Sequence, residues 1–259
     1  MRALWLRGGV AVVMLAFLAR PEGFAPVFAP LTRYGAAPVY LQTPLWSLLL
    51  GHLALVAAAV TAAAVLGIGL AVLTTRAGGR DFLPLARLLA NLGQTFPPVA
   101  VLALAVPVFG FGTVPTLIAL FLYALLPIFE TALTGLLGVP AAVREAADGM
   151  GMHPAQRLWQ VELPLALPQM LTGLRLSAVI ALATATLGST VAARSLGEVI
   201  LAGLQTGNTA FVAQGALLVG GLAVLTDAGF RTLEALVRRR LGQEAPVAAS
   251  DAVAEPARG

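Results

Sequence analysis

Uninterrupted apolar runs of about 20 residues recur along this chain, and they restrict its fold more than any other feature. A run of that length crosses a bilayer as a helix, and in lipid each backbone N–H and C=O group must be paired within a helix or a closed barrel. The strands of a barrel would alternate apolar and polar residues, and these runs do not. Only 11% of the residues are charged. The sequence therefore predicts an all-α, polytopic transmembrane bundle.

Six spans are predicted from these runs, and they divide the chain into three parts. Residues 1–44 contain one span and an outer loop rich in proline, glycine and aromatic residues. Residues 45–232 hold the other five spans, and residues 233–259 form an Ala/Pro/Glu-rich tail that we expect to be disordered. The first run is a retained span or a cleaved signal peptide, and the lack of a clean small-residue cleavage site favours a retained span. The six runs are residues 8–19, 45–73, 85–108, 116–137, 165–193 and 210–230.

Arginine placement predicts the orientation in the membrane. All 16 basic residues are Arg, and most lie near the N-terminus, in residues 74–84, after the fourth span or near the C-terminal end. The positive-inside rule puts these parts, and with them both termini, in the cytoplasm. A net charge of +4 carried in short loops between spans does not indicate nucleic-acid binding. Cysteine is absent and His52 and His153 are far apart, so no metal site is expected.

A polar segment, residues 140–164, separates the fourth and fifth spans. Pro140 suits the first turn of a helix, where its missing N–H has no cost. Gly149 and Gly151 are typical of a helix end, and Pro154 suits the start of a second helix. The pattern predicts two short helices joined by a tight glycine turn, with Pro164 where the fifth span begins.

The first of these helices is amphipathic. Arg144 and Asp148 stand four residues apart, so we expect them to pair. Chemistry alone leaves two interpretations open: the helix rests on lipid headgroups, or the helix pair docks into a protein partner through small residues that allow close approach. The apolar side comprises Ala142, Val143, Ala146, Ala147 and Met150, and the charged side comprises Arg144, Glu145 and Asp148.

The polar segment resembles the signature of permease subunits of ATP-binding cassette importers. That signature is Glu-Ala-Ala, three residues, Gly, nine residues, an aliphatic residue, any residue, and Leu-Pro. All its fixed positions and both spacings occur here, ending in Val161 and Leu163-Pro164. The resemblance implies a type I importer permease fold whose cytoplasmic coupling helix sits in a groove of an ATPase subunit. The implied ATPase-coupling residues are Glu145, Ala146, Ala147, Gly149, Gly151, Leu163 and Pro164.

Two further stretches resemble permeases for osmoprotectants such as glycine betaine, choline and related quaternary amines. They are "NLGQTFPP" at residues 91–98 and "GLR…ATATL" at residues 173–187. The chain departs from that subfamily at Glu130 and Thr131, where a basic residue and Asn are usual, and at residues 192–197, where a glycine-rich stretch is usual. These departures leave the exact solute open.

Polar side chains within the apolar spans are the candidates for a solute pathway. Such residues often line a pathway, but Ser and Thr also satisfy helix backbone groups or bond between helices. The double proline after Thr95 is interpreted either as a packing kink or as a hinge. The candidate pathway residues are Gln94, Thr95, Pro97, Thr184 and Thr186.

The resemblance also implies partners. The sequence contains no phosphate-binding Gly-x-x-x-x-Gly-Lys-Ser/Thr loop and no lysine, so we expect it to bind no cofactor and ATP–Mg to be held by a partner. The implied assembly lies in the cytoplasmic (inner) membrane, in contact with its lipid. It comprises two copies of an ATP-binding-cassette ATPase, an extracytoplasmic binding protein, and a second copy of this permease or a homologue.

Three other functions are alternatives to the osmoprotectant permease. An importer permease for an amino acid or an oxyanion would share the same signature. A membrane scaffold or signalling subunit would use the polar segment to bind a protein other than an ATPase. An intramembrane enzyme would need a paired Asp or His set inside the spans, and Asp227 lacks such a companion.

Overall fold

The computed structural model describes residues 2–242, apart from the side chains of residues 2–4 and 6. Within these residues the chain is helical and contains no strand, as the sequence predicts. Its α-helices are α1 (Arg2–Ala19), α2 (Ala25–Phe28), α3 (Leu45–Thr75), α4 (Leu83–Thr95), α5 (Pro98–Phe109), α6 (Thr113–Leu137), α7 (Ala141–Gly149), α8 (Pro154–Arg157), α9 (Leu163–Thr184), α10 (Gly197–Thr206) and α11 (Thr209–Arg240). Single 3₁₀ turns lie at Pro21–Phe24, Ala29–Leu31 and Arg80–Phe82, and a longer 3₁₀ helix at Ala185–Val191.

Four of the described helices are long and apolar enough to cross a membrane. They are α3, α6, α11 and the stretch Pro154–Val191 that contains α9. Two bent helix pairs raise the number of candidate spans to six: Arg7–Ala19 with Pro21–Leu31, and Arg80–Thr95 with Pro98–Phe109. The multi-span, all-α prediction is therefore confirmed.

The predicted third span, residues 85–108, is interrupted at the double proline, and the break is sharper than a packing kink. It consists of α4 and α5, which meet at 94°. A proline disfavours the helical conformation in the residue before it and favours an extended one. Pro97 acts in this way on Phe96 (ψ 136°), and Pro98 acts on Pro97 (ψ 141°), so two successive residues leave the helical region. The double proline therefore breaks the helix completely.

The fifth span also differs from the prediction, because it is continuous with the second short helix of the polar segment. One helical stretch of 38 residues runs from Pro154 to Val191. It contains a π turn, Leu158–Glu162, which ends two residues before Pro164. In a regular α-helix a proline removes one hydrogen bond and its ring clashes with the carbonyl four residues earlier, and here the turn before Pro164 has π rather than α hydrogen bonding. Pro164 therefore does not separate two elements.

Two further parts were not anticipated. Residues 233–240, assigned to the disordered tail, continue α11 as helix, and the three arginines of its last turn complement the negative end of the helix dipole. The rest of that predicted tail, from residue 243, lies outside the described residues. The short helix α10 lies between the fifth and sixth predicted spans, where no element was predicted.

The centre of the bundle is formed by α3, α6 and α9, which pack closely through small residues. A Cβ atom on Gly173 of α9 would lie 2.8 Å from the backbone oxygen of Pro127 in α6. Close helix approach at glycine is typical of membrane bundles. Ser177 of α9 donates a hydrogen bond to the backbone oxygen of Ala124, 2.8 Å away. On the other side of α9, Arg175 forms an ion pair with Asp227 of α11 at 2.8 Å, which gives α9 fixed neighbours on both sides.

Candidate functional site

The polar segment folds as a helix, a glycine turn and a second helix. The helix α7 begins after Pro140 and ends at Gly149. Gly151 has φ +78°, a left-handed conformation that glycine adopts without strain. The turn is closed by the N–H of Met152, which donates to the backbone oxygen of Ala147 at 3.1 Å. At the start of α8, His153 Nδ1 accepts a hydrogen bond from the N–H of Gln156 at 3.3 Å.

Much of the apolar side of α7 is uncovered. Met150 is 70% exposed, Val143 is 36% exposed, and Ala142 and Ala146 are exposed as well. Ala147 is the exception, because it is buried against the rest of the protein. An exposed apolar stripe beside charged groups suits a helix that meets a protein surface or the membrane interface.

The seven predicted ATPase-coupling residues therefore fall into three environments. One of them, Ala147, is buried, and two at the base of α9 are partly buried. The exposed four share the outer surface of α7 and its turn. These exposed residues are Glu145, Ala146, Gly149 and Gly151, and the partly buried pair is Leu163 and Pro164.

The expected pair between Arg144 and Asp148 does not form. Asp148 instead forms an ion pair with Arg157 of α8, whose Nη1 donates to Oδ2 at 2.6 Å. The cause is the chain reversal at Gly151, which carries α8 back alongside α7 and brings in an arginine from nine residues further along the chain. Spacing on a single helix could not reveal this partner.

A buried carboxylate lies at the centre of the segment. Glu162, in the π turn, is only 2% exposed. Its Oε2 contacts Nη2 of Arg76 at 2.5 Å, and its Oε1 accepts from Nε of Arg157 at 3.2 Å. The contact with Arg157 is a charge-assisted hydrogen bond, one of the strong kinds in proteins, whereas the contact with Arg76 is a close ion pair without hydrogen-bond geometry. Together Arg76, Asp148, Arg157 and Glu162 form what we call the charge network.

The charge network joins four elements. Arg76 follows directly after α3, Asp148 lies on α7, Arg157 ends α8 and Glu162 leads into α9. A cavity of about 290 Å³ adjoins it, lined by the network together with Arg80, Arg144 and Glu145 among others. Sequence reasoning missed the network. The available signal was an acidic residue, Glu162, directly before an apolar span, where an unpaired charge is costly.

The candidate pathway residues lie in two places. Gln94, Thr95 and Pro97 are exposed together where α4 breaks from α5, and Gln94 Nε2 donates to the backbone oxygen of Tyr123 at 3.2 Å. Thr184 and Thr186 lie at the end of α9 and in the 3₁₀ helix after it. Both hydroxyls donate to carbonyls of α9, Thr184 to Ile180 at 2.9 Å and Thr186 to Ala183 at 2.7 Å. A role in the pathway stays a prediction for all five residues.

The unusual acidic residue at position 130 has a basic neighbour. Glu130 of α6 accepts a hydrogen bond from Nε of Arg87 in α4 at 3.1 Å. Both side chains are substantially exposed, 48% for Arg87 and 37% for Glu130. The departure from the osmoprotectant pattern at this position is therefore accommodated by a charge on the adjacent helix.

Comparison with known proteins identifies the family. Residues 67–239 match the family described as "binding-protein-dependent transport system inner membrane component". The chain belongs to this family. It is a multi-pass protein of the inner membrane, and its role is that of a transport permease subunit.

Similar permeases have names that refer to osmoprotectants. The osmoprotectant import permease protein OsmY of Salmonella typhimurium is 40% identical over 190 residues, which are 73% of this chain and 79% of that protein. The choline transport system permease protein OpuBB of Bacillus subtilis is 39% identical over 139 residues, 54% of this chain and 64% of that protein.

The fold of this permease matches solved importer structures. A chain of the inward-facing MetNI methionine ABC transporter superposes with a TM-score of 0.65 over 76% of this permease and 99% of that chain, at 22% sequence identity. A second crystal form gives a TM-score of 0.63. Identity at this level shows the fold, and it confirms the predicted ABC importer permease architecture.

We expect Gly151→Ala to loosen the turn of the polar segment and Gly149→Ala to leave it intact. A Cβ atom meets nothing within 4 Å at either position, but only Gly151 has a positive φ. A left-handed conformation costs a non-glycine residue about 1–2 kcal/mol. Hydrogen–deuterium exchange of amides 147–157 should become about tenfold faster in Gly151→Ala alone, since about 1.4 kcal/mol corresponds to a factor of ten. Equal exchange in the two variants would contradict the assigned geometry.

Proposed function

We propose that this permease is the membrane-spanning subunit of an ATP-driven importer for osmoprotectants, namely glycine betaine, choline or related quaternary amines. The solute would be delivered by an extracytoplasmic binding protein. The names of its relatives support the solute class. The observation that carries the coupling role is the uncovered apolar side of α7, which the charge network ties to the bundle.

The ATPase would bind to this uncovered side. Val143, Ala146 and Met150 offer apolar contact with little side-chain bulk at Ala146, and Glu145 beside them offers a charge that fixes the register. Two ATPase copies holding ATP–Mg would face two permeases, which are two copies of this chain or one copy and a homologue. Closure of the ATPases would then displace α7 and α8, and with them the continuous helix that leads into α9.

The orientation proposed for this assembly follows from one contact. Arg76, which follows α3, touches Glu162 at the base of α9, so the loop after α3 and the polar segment lie at the same end of the bundle. The positive-inside rule assigns an arginine-rich end to the cytoplasm. Arg76, Arg80, Arg144 and Arg157 all lie there, on the side where an ATPase would bind.

Tight recognition of the solute is assigned to the binding protein. A quaternary ammonium is held by aromatic faces. Aromatic residues make up 7% of this permease. The ring pairs found among the described residues, Phe17–Phe24, Phe17–Phe28 and Tyr40–Phe211, all include a buried ring of the hydrophobic core. The permease would therefore offer a path through the membrane, with weak and transient contacts.

We expect Glu145→Arg to weaken binding of the partner ATPase by about tenfold or more. The reversed charge would lie against ATPase groups that suit a carboxylate, and it would lose water on binding without gaining a partner. The measurement is the amount of ATPase that co-purifies with the permease from membranes. The matched control is Glu22→Arg, which should retain the ATPase. Glu22 is also exposed and acidic, but it lies in the predicted outer loop. Retention by both variants, with uptake intact, would refute the coupling role of α7.

Uptake competition tests the solute class. In vesicles that contain the permease, its ATPase and its binding protein, unlabelled choline or carnitine should suppress uptake of labelled glycine betaine. Methionine and an inorganic oxyanion should not, since neither carries a quaternary ammonium group. Competition by methionine or by the oxyanion alone would replace the osmoprotectant assignment with one of the alternative solutes.

A further inference from the structure

The polar segment is attached to the bundle in two different ways. One attachment is covalent and runs through the π turn into α9. The other is the contact between Glu162 and Arg76, which reaches across to the end of α3. We propose that Glu162 is a positioning residue that makes α3 move together with α7 and α8, so that a displacement of the polar segment reaches two spans at once. This proposal rests on the coupling role given above.

The geometry of Glu162 suits this role because each of its oxygens is held by a different element. Oε2 is held by Arg76, the first residue after α3, and Oε1 is held by Arg157 of α8. Arg157 also holds Asp148 of α7. A force on α7 therefore has a chain of charged contacts to follow: α7 to α8, α8 to Glu162, and Glu162 to α3.

The covalent attachment alone would be less stiff. The π turn at Leu158–Glu162 has i→i+5 rather than i→i+4 hydrogen bonding, and such turns are often found at functional sites. A cavity of about 290 Å³ lies between the loop after α3 and the charged side of α7, so these two parts are not packed against each other there. Leu158 and Leu163 pack in the same apolar cluster as Ala71 of α3, and the charge network extends this attachment from α3 to α7.

Burial distinguishes this ion pair from others in the permease. Removing one partner of a buried pair leaves an uncompensated charge, whereas exposed pairs contribute little to stability. Glu162 is almost fully buried, while the Arg87–Glu130 pair is exposed on both sides. Sequence reasoning gave no weight to Glu162, since its position in the importer signature admits any residue.

A distance measurement between two spin labels tests the proposal. The chain contains no cysteine, so Gly78→Cys in the loop after α3 and Gln160→Cys in the π turn give two unique labels. Both positions are exposed, and a Cβ atom on Gly78 meets nothing within 4 Å. In the assembled transporter we expect the distance to be the same without nucleotide and with ATP trapped. With Glu162→Gln the distribution of label distances should broaden, and its mean should change when ATP is trapped.

Transport gives the second readout. Glu162→Gln should lower the solute moved per ATP hydrolysed by about tenfold, equivalent to roughly 1.4 kcal/mol of lost coupling, while ATP hydrolysis and ATPase binding persist. Glu162→Asp, which keeps the charge, should recover part of this ratio, and Arg76→Gln should reproduce the defect. The matched control is Glu234→Gln, which removes a partly buried glutamate paired with Arg238 at 3.0 Å inside α11 and should leave the ratio unchanged.

Two results would overturn the proposal. One is a wild-type label distance that changes between nucleotide states, and the other is a Glu162→Gln transporter with normal distance and normal coupling. The label distance in the permease alone separates this proposal from the proposed function. The distribution of label distances should be narrow in the wild type and broad in Glu162→Gln, whichever ATPase or solute the permease uses. Equal widths in the two proteins would also reject the role of Glu162.

Discussion

A carboxylate buried between two arginines holds the polar segment to the membrane-spanning helices. Charges are scarce in this permease and costly to bury, so a glutamate that is 2% exposed must be paired. Glu162 is paired with Arg76 and Arg157, which belong to two different elements. The electrostatic need for pairing and the mechanical need for a stiff connection are met by the same contacts.

The membrane-spanning helices α6, α9 and α11 are closely packed. Small residues such as Gly173 let α9 approach α6 until backbone groups are in contact, and Arg175 fixes α9 to α11. The opposite property is found between α4 and α5, where two prolines produce a bend of 94° and leave Gln94 exposed. Closely packed helices beside the break between α4 and α5 suit a permease in which movement of the polar segment opens a path for solute.

The sequence predicts those features that depend on neighbouring residues, and it fails where distant residues meet. Long apolar runs require helices in lipid, and Gly151 requires a turn, so both were predictable. The partner of Asp148 depends on a chain reversal, and helical spacing pointed to Arg144 instead of Arg157. Pro164 suggested a boundary, but the π turn before it keeps the helix continuous. Glu162 was not predicted as a functional residue, because its partner Arg76 is far away in sequence.

We propose that the polar segment lies in the cytoplasm, where an ATPase binds it. Labelling of Glu145→Cys, which would be the single cysteine of the chain, with a membrane-impermeant maleimide tests this placement. We expect no labelling from outside intact cells, labelling in inside-out vesicles stripped of ATPase, and protection when the ATPase is added back. Labelling of intact cells from the outside would contradict it.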